Sequence, residues 1–321
     1  MRRREFIAGL GGAVTWPLLA RADTMPVVGF LSPLPNGERP AQIAFWHALA
    51  DEGFVDGKNL VIEKRFTNFK PELMKQAADD LGRLGVNVIF AGYPEAIVAA
   101  RAATSGIPIV AVDMESDPVA KGYIKNLARP GGNLTGMFLD LPELSGKQVG
   151  LLKETVPALS HIAIFGTPGL NTAQFAAAEA AVRAVGLEAE IIEVRVPDDW
   201  ERALETAKTR QVQAGIVLSS PLAFISSRKI GELALARRLP LISLFAEFPQ
   251  AGGFIAYGPS IAAMWQKAGV YVAKILRGAR PEDLPIERPE KFDLVINLKT
   301  AAALGITVPP VLLATADQVI D

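Results

Sequence analysis

Residues 86–112 decide the fold, and they read VNVIFAGYPEAIVAARAATSGIPIVAV. Two short runs rich in β-branched residues, Val86 to Ala91 and Ile107 to Val112, flank a longer segment with a helical pattern. Pro94 follows the first run and suits the first turn of a helix. A strand, a helix and a second strand in this order predict one parallel βαβ unit.

The same alternation extends on both sides of this unit. The predicted strands are Val27 to Leu31, Leu60 to Phe66, Val86 to Ala91, Ile107 to Val112, Ile162 to Phe165, Glu190 to Val196, Gly215 to Leu218 and Leu241 to Phe245. Local detail repeats too, since Ile62-Glu63-Lys64-Arg65 in the first half matches Ile192-Glu193-Val194-Arg195 in the second. The halves match at an offset of roughly 130 residues, far longer than a solenoid repeat. We therefore predict the α/β class, with two similar doubly wound parallel-sheet lobes that arose by duplication.

Clusters of proline and glycine separate the predicted lobes, from Ala128 to Gly136, from Gln250 to Gly253 and from Arg280 to Pro289. Such clusters suit either connections or ordinary surface turns, and as connections they would form a hinge of three crossings. The predicted hinge residues are Asn133, Thr135, Gly136, Gly252 and Gly253. The corresponding division places residues 26–134 and about 254–281 in lobe 1, and residues 137–250 and about 290–321 in lobe 2.

Residues 1–22 have the organisation of an export signal. The charged start Met1-Arg2-Arg3-Arg4 precedes an apolar run from Ile7 to Ala20, and small residues precede a cut after Ala22. The paired arginines favour a twin-arginine signal over a general secretory one or a basic N-terminus that stays attached. We therefore predict a soluble protein that is secreted into the periplasm.

Composition argues against several classes of protein. The chain has 321 residues, of which 50% are hydrophobic and 21% charged, so it is globular and long enough for two lobes. Lys plus Arg number 33 against 34 Asp plus Glu, which leaves no basic surplus to attract nucleic acid. The sequence has no cysteine, which excludes thiolate sites and a lipid-anchored cysteine. With only two histidines, it has few ligands for a zinc site and few residues for a histidine-based triad. We predict no cofactor, metal or catalytic residue, no nucleic-acid partner and no stable membrane anchor.

Four longer motifs carry a resemblance to a known family: Ser116-Asp117-Pro118-Val119, the run from Leu127 to Gly136, Tyr257-Gly258, and the run from Phe292 to Ala301. In these motifs the chain resembles ABC transporter substrate-binding proteins of the type I periplasmic-binding fold, a family that includes TrpX-like proteins. The resemblance implies a Venus-flytrap protein without enzymatic activity, which closes two lobes over a small solute. It also implies delivery to a membrane permease with its cytoplasmic ATPase, an amino acid, aromatic or other small organic solute, and a monomeric binding protein.

In open α/β sheets a ligand lies beyond the carboxyl ends of the strands, where helix N-termini offer free N–H groups. This rule selects as ligand-binding candidates Ser32, Pro33, Gly92, Tyr93, Asp113, Glu115, Thr167, Asn171, Ser219, Pro221 and Glu247, with Tyr257 near the second crossing. Gly92 would let the backbone approach a ligand closely, and Tyr93 and Tyr257 would stack on an apolar solute. Asp113 or Glu115 would favour a ligand ammonium or hydroxyl group. Purely structural roles, such as a tyrosine packed within a lobe, are the alternatives.

Three functions fit these features. The preferred one is the solute-binding component of an ABC importer, which captures its ligand by hinge closure. The second is a periplasmic ligand-sensing module for a membrane receptor. The third is a periplasmic hydrolase, which would depend on carboxylates such as Asp113 and Glu247 because the chain has no Gly-x-Ser-x-Gly motif.

Overall fold

The computed structural model describes residues 25–113, 117–139, 142–290 and 292–321. The predicted export signal and the predicted ligand-binding residue Glu115 lie outside these ranges. Within them the chain builds two α/β lobes, each on its own sheet. Among the described residues, no helix combines the length and the apolar character that a bilayer span requires.

The first sheet is parallel throughout. Its strands within the described residues are β1 Val27–Ser32, β2 Val61–Phe66, β3 Val88–Ala91, β4 Ile109–Asp113 and β5 Leu134–Phe138. They lie in the order β2-β1-β3-β4-β5. The connecting helices are α1 Pro40–Asp51, α2 Pro71–Leu84 and α3 Pro94–Ala103. Each of these helices begins with a proline, whose missing N–H has no intrahelical partner in the first turn.

The second sheet repeats this winding and extends it. Its strands within the described residues are β6 His161–Gly166, β7 Glu188–Glu193, β8 Ala214–Val217, β9 Leu241–Ser243, β10 Ile255–Pro259, β11 Phe292–Asn297 and β12 Gln318–Ile320. The order is β12-β11-β10-β9-β8-β6-β7, and of these pairs the β10–β11 pair is antiparallel. Because β6 lies between β7 and β8 as β1 lies between β2 and β3, the two sheets share one core topology.

The other helices cover the second sheet and return to the first. They are α4 Pro142–Thr155, α5 Thr172–Ala184, α6 Asp199–Thr209, α7 Pro221–Ile225, α8 Ser227–Ala236, α9 Glu247–Gln250, α10 Ile261–Leu276, α11 Leu298–Leu304 and α12 Pro310–Thr315, with a 3₁₀ helix at Pro281–Asp283. Helix α10 follows β10 of the second sheet but packs against α1 of the first lobe. The chain therefore passes repeatedly between the lobes.

Each sheet is buried between apolar layers on both faces. In lobe 1, Phe30 from β1 and Phe90 from β3 stack with ring centroids 5.2 Å apart, and Trp265 from α10 meets Phe90 at 4.8 Å. All three side chains are buried. Full burial of one such side chain stabilises the fold by about 1.5–3 kcal/mol, which explains why α10 is held against a sheet distant in sequence.

The predicted fold class is confirmed. The eight predicted strands all occur, each shifted by no more than a few residues. Two corrections concern the boundaries between lobes. Strand β5, at residues 134–138, pairs with β4 in the first sheet, and β10, at residues 255–259, pairs with β9 in the second. Both are buried, so their apolar side chains fix them to a sheet although proline and glycine clusters precede them.

The predicted hinge residues lie inside the lobes, and their assignment is corrected accordingly. Asn133 donates its side-chain amide to the carbonyl of Ile107 at 2.8 Å, within lobe 1. Thr135 and Gly136 belong to β5, whereas Gly252 and Gly253 connect α9 to β10 within lobe 2. The chain crosses between the lobes after β5, between β10 and α10, and just before β11.

Candidate ligand-binding cleft

A narrow cavity, with an internal volume of about 30 Å³, lies between the two lobes. Its walls come from both lobes and consist of Arg39, Ala41, Gln42, Tyr93, Val112, Ser220, Pro221, Phe224, Phe245, Ile261 and Trp265. We call it the aromatic cavity. Its walls are mostly apolar with a few polar groups, which is typical of the lining of small-molecule sites.

Two aromatic pairs define this cavity. Tyr93, the residue before α3, meets Trp265 of α10 in a T-shaped contact with ring centroids 5.9 Å apart. On the lobe 2 side, Phe224 of α7 meets Phe245, just after β9, at 5.4 Å and nearly perpendicular. The loops that end β3 and β9 thus bring rings from both lobes to one space, which suits a flat apolar group.

A smaller polar pocket adjoins the aromatic cavity in lobe 2. It has an internal volume of about 10 Å³ and is lined by Leu144, Ser145, Gln148, Gln174, Val217, Leu218, Ser219 and Leu244. Ser219 and Ser220 are consecutive and line the polar pocket and the aromatic cavity respectively, so the two spaces are neighbours. Gln148 donates to the carbonyl of Tyr257 at 3.2 Å, which ties α4 to β10.

Several predicted ligand-binding residues border these spaces. Tyr93 and Pro221 line the aromatic cavity, and Ser219 lines the polar pocket. Ser32 is buried at the end of β1, where its hydroxyl accepts the backbone N–H of Leu34 at 3.2 Å, and Pro33 beside it is also buried. Their contact with a ligand stays a prediction.

Asn171 and Thr167 form a structural link in lobe 2. The Asn171 side chain accepts the N–H of Thr167 at 2.7 Å and donates to the carbonyl of Ser219 at 2.6 Å. It therefore joins the loop after β6 to the loop after β8. With both ends of its amide engaged, Asn171 positions the polar pocket.

Three other predicted ligand-binding residues, Gly92, Tyr257 and Glu247, lie beside other parts of the protein. A Cβ atom on Gly92 would lie 2.8 Å from the Trp265 ring, so glycine makes room for this ring. Tyr257 stacks on Phe292 with centroids 6.1 Å apart. Glu247 lines a separate cavity beside the crossings, with Ser260 among its neighbours. These three residues are not among the side chains that line the aromatic cavity.

Two carboxylates, Glu95 and Asp113, lie near each other at the outer end of the cleft, where Lys75 and Lys121 line a wide groove. Glu95 lines the same groove, which Tyr123 and Leu170 also border, and Asp113 is buried at the end of β4. Although Glu95 keeps contact with solvent, desolvation raises the pKa of its carboxyl group, and Asp113 raises it further. Asp113 also raises the pKa of Tyr123, although burial is the larger cause. Within the described ranges, no group of three or more Asp, Glu or His residues is placed to hold a metal ion.

Sequence reasoning missed most of the cavity wall. Phe224 and Trp265 lie in helices that read as ordinary amphipathic segments, and nothing local indicates that they face the other lobe. Gln42 and Gln174 offered a usable signal, because both lie in the first turn of the helix that follows the first strand of their lobe. Helix N-termini at the carboxyl edge of a parallel sheet are where ligands bind.

Comparison with known proteins now identifies the family. Residues 41–320 match the family described as ABC transporter substrate binding protein. The chain belongs to this family. This substrate-binding protein is 24% identical to a protein named tyrosine-binding protein from Clostridioides difficile. The match covers 82% of this chain and 76% of the relative. The substrate-binding proteins of this family bind solutes and are not enzymes, in agreement with the sequence-based expectation.

Two solved structures have the same fold as this substrate-binding protein. A conserved domain protein from Vibrio cholerae superposes with a TM-score of 0.82 at 24% identity, over 92% of this chain and 99% of that one. The second is described as an ABC domain in complex with L-Trp from Streptococcus pneumoniae. It also gives a TM-score of 0.82, at 21% identity and with the same coverage of 92% and 99%. The predicted two-lobe periplasmic-binding architecture is confirmed.

Proposed function

We propose that this protein is the solute-binding component of an ABC importer and that it captures an amino acid with an apolar, preferably aromatic, side chain. The observation that carries the proposal is the aromatic cavity, which Tyr93 and Trp265 border from lobe 1 and Phe224 and Phe245 from lobe 2. The tyrosine-binding relative and the relative in complex with L-Trp support the choice of ligand class.

The aromatic walls supply the affinity. Burial of an aromatic side chain removes 150–250 Å² from water, which contributes roughly 4–6 kcal/mol before the entropy cost of association is subtracted. Because the two ring pairs lie on different lobes, only the closed arrangement gives a ligand both walls. A ligand that gains contacts on closure shifts the population towards the closed form.

The charge distribution supports a ligand that carries an amine. Glu95 and Asp113 lie close enough to influence each other's charge at the outer end of the cleft. A ligand ammonium group near them would be favoured, because it relieves the repulsion between two carboxylates. An amino acid supplies this cation together with the apolar group that the aromatic cavity suits.

The proposal includes the cellular setting. Residues 1–22 carry the charged start, apolar run and small-residue cut that direct export, so the binding protein would work in the periplasm. From there it would deliver its solute, as a monomer, to a membrane permease driven by a cytoplasmic ATPase. The proposed export route can be tested with a double variant of the paired arginines ahead of Glu5-Phe6-Ile7. Arg3→Lys with Arg4→Lys should retain the protein inside the cell if the route is twin-arginine export.

Isothermal titration calorimetry with the twenty amino acids tests the proposed ligand class, with small-angle scattering to detect closure. We expect micromolar or tighter binding of at least one aromatic amino acid and a smaller radius of gyration in the complex. Tyr93→Ala and Phe224→Ala should each weaken binding about tenfold or more through loss of a ring contact. The exposed Val311→Ala is a matched control on the surface of lobe 2. A wild-type protein that neither binds nor closes with any amino acid would contradict the proposal.

A further inference from the structure

Two glutamines occupy equivalent positions in the two lobes. Gln42 is the third residue of α1, and Gln174 is the third residue of α5. Each helix follows the first strand of its lobe, β1 or β6, and each of these strands lies next to the edge strand of its sheet. The duplication thus places one first-turn glutamine at the carboxyl edge of each sheet.

Both glutamines are buried and share one unusual feature. Each side chain is only 3% exposed, and within the described part of the chain neither amide nitrogen Nε2 has a hydrogen-bond partner. Buried polar groups are nearly always satisfied in native proteins, because an unmade hydrogen bond costs free energy. The same exception at two duplicated positions points to one shared role.

The two donors face the cleft from opposite lobes. Gln42 lines the aromatic cavity, and Gln174 lines the polar pocket. These spaces adjoin through consecutive residues twice, at Ser219 and Ser220 and at Leu244 and Phe245. A ligand that enters when the lobes separate and spans both spaces would therefore lie beside both amides.

The surroundings of the two amides differ in charge. Beside Gln42, the Arg39 guanidinium lines the same cavity and is held there by hydrogen bonds to the carbonyls of Pro35 at 3.0 Å and Gly37 at 3.2 Å. A guanidinium and a helix N-terminus favour an anion. The polar side chains that line the polar pocket with Gln174 are uncharged, namely Ser145, Gln148 and Ser219. They suit a neutral oxygen.

We propose that Gln42 and Gln174 are paired ligand-binding donors, with Gln42 bound to the ligand carboxylate and Gln174 bound to an uncharged oxygen at the other end of the ligand. The inference rests on the proposed amino-acid function and narrows it. The preferred ligand is an aromatic amino acid whose ring carries a hydroxyl group, because such a ligand offers acceptors to both lobes and an apolar ring between them.

Binding of L-tyrosine and L-phenylalanine to four proteins tests the inference: the wild type, Gln42→Met, Gln174→Met and the exposed control Gln76→Met on α2. Loss of a hydrogen bond to a neutral oxygen should make Gln174→Met about three- to tenfold weaker for L-tyrosine and leave L-phenylalanine unchanged. Loss of a bond to a carboxylate should make Gln42→Met about ten- to a hundredfold weaker for both ligands. Unchanged binding in both variants would overturn the inference.

Gln42→Glu adds a test of the charge at this end of the ligand. It matches glutamine in size but places a carboxylate against the proposed ligand carboxylate, so we expect weaker binding than in Gln42→Met. Binding as tight as wild type, or tighter, would place a ligand cation there and overturn the assignment.

The thermal stability of the ligand-free variants separates this inference from the proposed function. Because neither amide nitrogen has a hydrogen-bond partner in the described part of the protein, its removal breaks no such bond. Gln42→Met and Gln174→Met should therefore unfold at or above the wild-type temperature. A midpoint lower by about 5 °C or more would show that the protein holds the amides and would overturn the inference. If the wild type binds no amino acid, the proposed function fails, and this measurement still decides the role of the two glutamines.

Discussion

Gly136 occupies a position in β5 that no side chain can enter. Its φ of +139° lies outside the range that residues with a Cβ atom prefer, and a Cβ atom there would lie 2.0 Å from the carbonyl oxygen of Ala111. The residue therefore lets β5 run against β4 at the edge of the first sheet. The sequence motif that contains it is explained by packing within lobe 1.

At the residue scale we predict that Gly136→Ala destabilises the protein by about 2–4 kcal/mol, because the new Cβ atom must displace backbone. Urea unfolding at equilibrium measures this change. Gly146→Ala is the matched control, since Gly146 is exposed in helix α4 and nothing lies within 4 Å of its added Cβ. The control should stabilise by about 0.5–1 kcal/mol, and a Gly136 variant as stable as wild type would contradict the close contact.

Glu247 is a partly buried carboxylate that lines a cavity other than the aromatic cavity. Burial raises its pKa above the ordinary value, so the folded state binds this proton more tightly than the unfolded state does. Its contribution to stability is therefore fully present below the unfolded pKa and is lost as pH rises through the raised folded pKa. Glu247→Gln should be less sensitive to pH over this interval and should leave ligand affinity unchanged. Unfolding midpoints from about pH 4 to pH 7 check the first expectation, and an altered affinity would return Glu247 to the ligand site.

At the element scale, the cleft depends on loops that hydrogen bonds join across strands. Asn171 precedes α5 and connects the loop after β6 with the loop after β8, through Thr167 and Ser219. The Ser220 side chain in turn accepts the N–H of Ala223 at 3.0 Å and caps α7, which carries Phe224. One buried side chain thus positions both the polar pocket and one aromatic wall.

We predict that Asn171→Ala lowers the free energy of unfolding by about 2–4 kcal/mol, because the N–H of Thr167 and the carbonyl of Ser219 lose their shared partner. Chemical denaturation measures the loss, and ligand affinity should fall with it. Thr172→Ala changes the next residue, whose side chain is exposed, and should alter stability by less than about 0.5 kcal/mol. Equal stability of the two variants would show that Asn171 is not the link.

At the scale of the whole molecule, α10 and the segment after it connect the lobes. The Tyr271 hydroxyl donates its one proton to the carboxylate of Glu287 at 2.5 Å, and the carbonyl oxygen of Pro285 lies 2.9 Å from the same hydroxyl. Glu287 also pairs with Lys267. The carbonyl of Glu287 accepts the N–H of Phe138 at 3.0 Å, so the segment is fixed to β5. The third crossing therefore starts from a point held firmly to lobe 1.

Tyr271→Phe should lower the free energy of unfolding by about 1–3 kcal/mol, since the ring stays in place but the hydrogen bond from the hydroxyl to a carboxylate is lost. Tyr123→Phe is the control, because its ring contact with Arg101 at 4.2 Å does not need the hydroxyl. Hydrogen exchange should also be faster at residues 285–287 in the Tyr271 variant. Exchange unchanged in this segment would contradict the anchoring role.

The sequence by itself determined the α/β class, the eight strands of the two repeated sheets and the family. These features depend on local periodicity and on turn residues, which act between neighbours in the chain. The tertiary structure alone decided which sheet received β5 and β10, why Gly92 is a glycine, and which rings line the cleft. Phe224 and Trp265 line one cavity only because two lobes pack together, and the direction of a side chain across a lobe interface leaves no local pattern. Gln42 and Gln174 depend on both kinds of information. The duplication is visible in the sequence, but only the structure shows that their amide nitrogens are buried without a hydrogen-bond partner in the described residues.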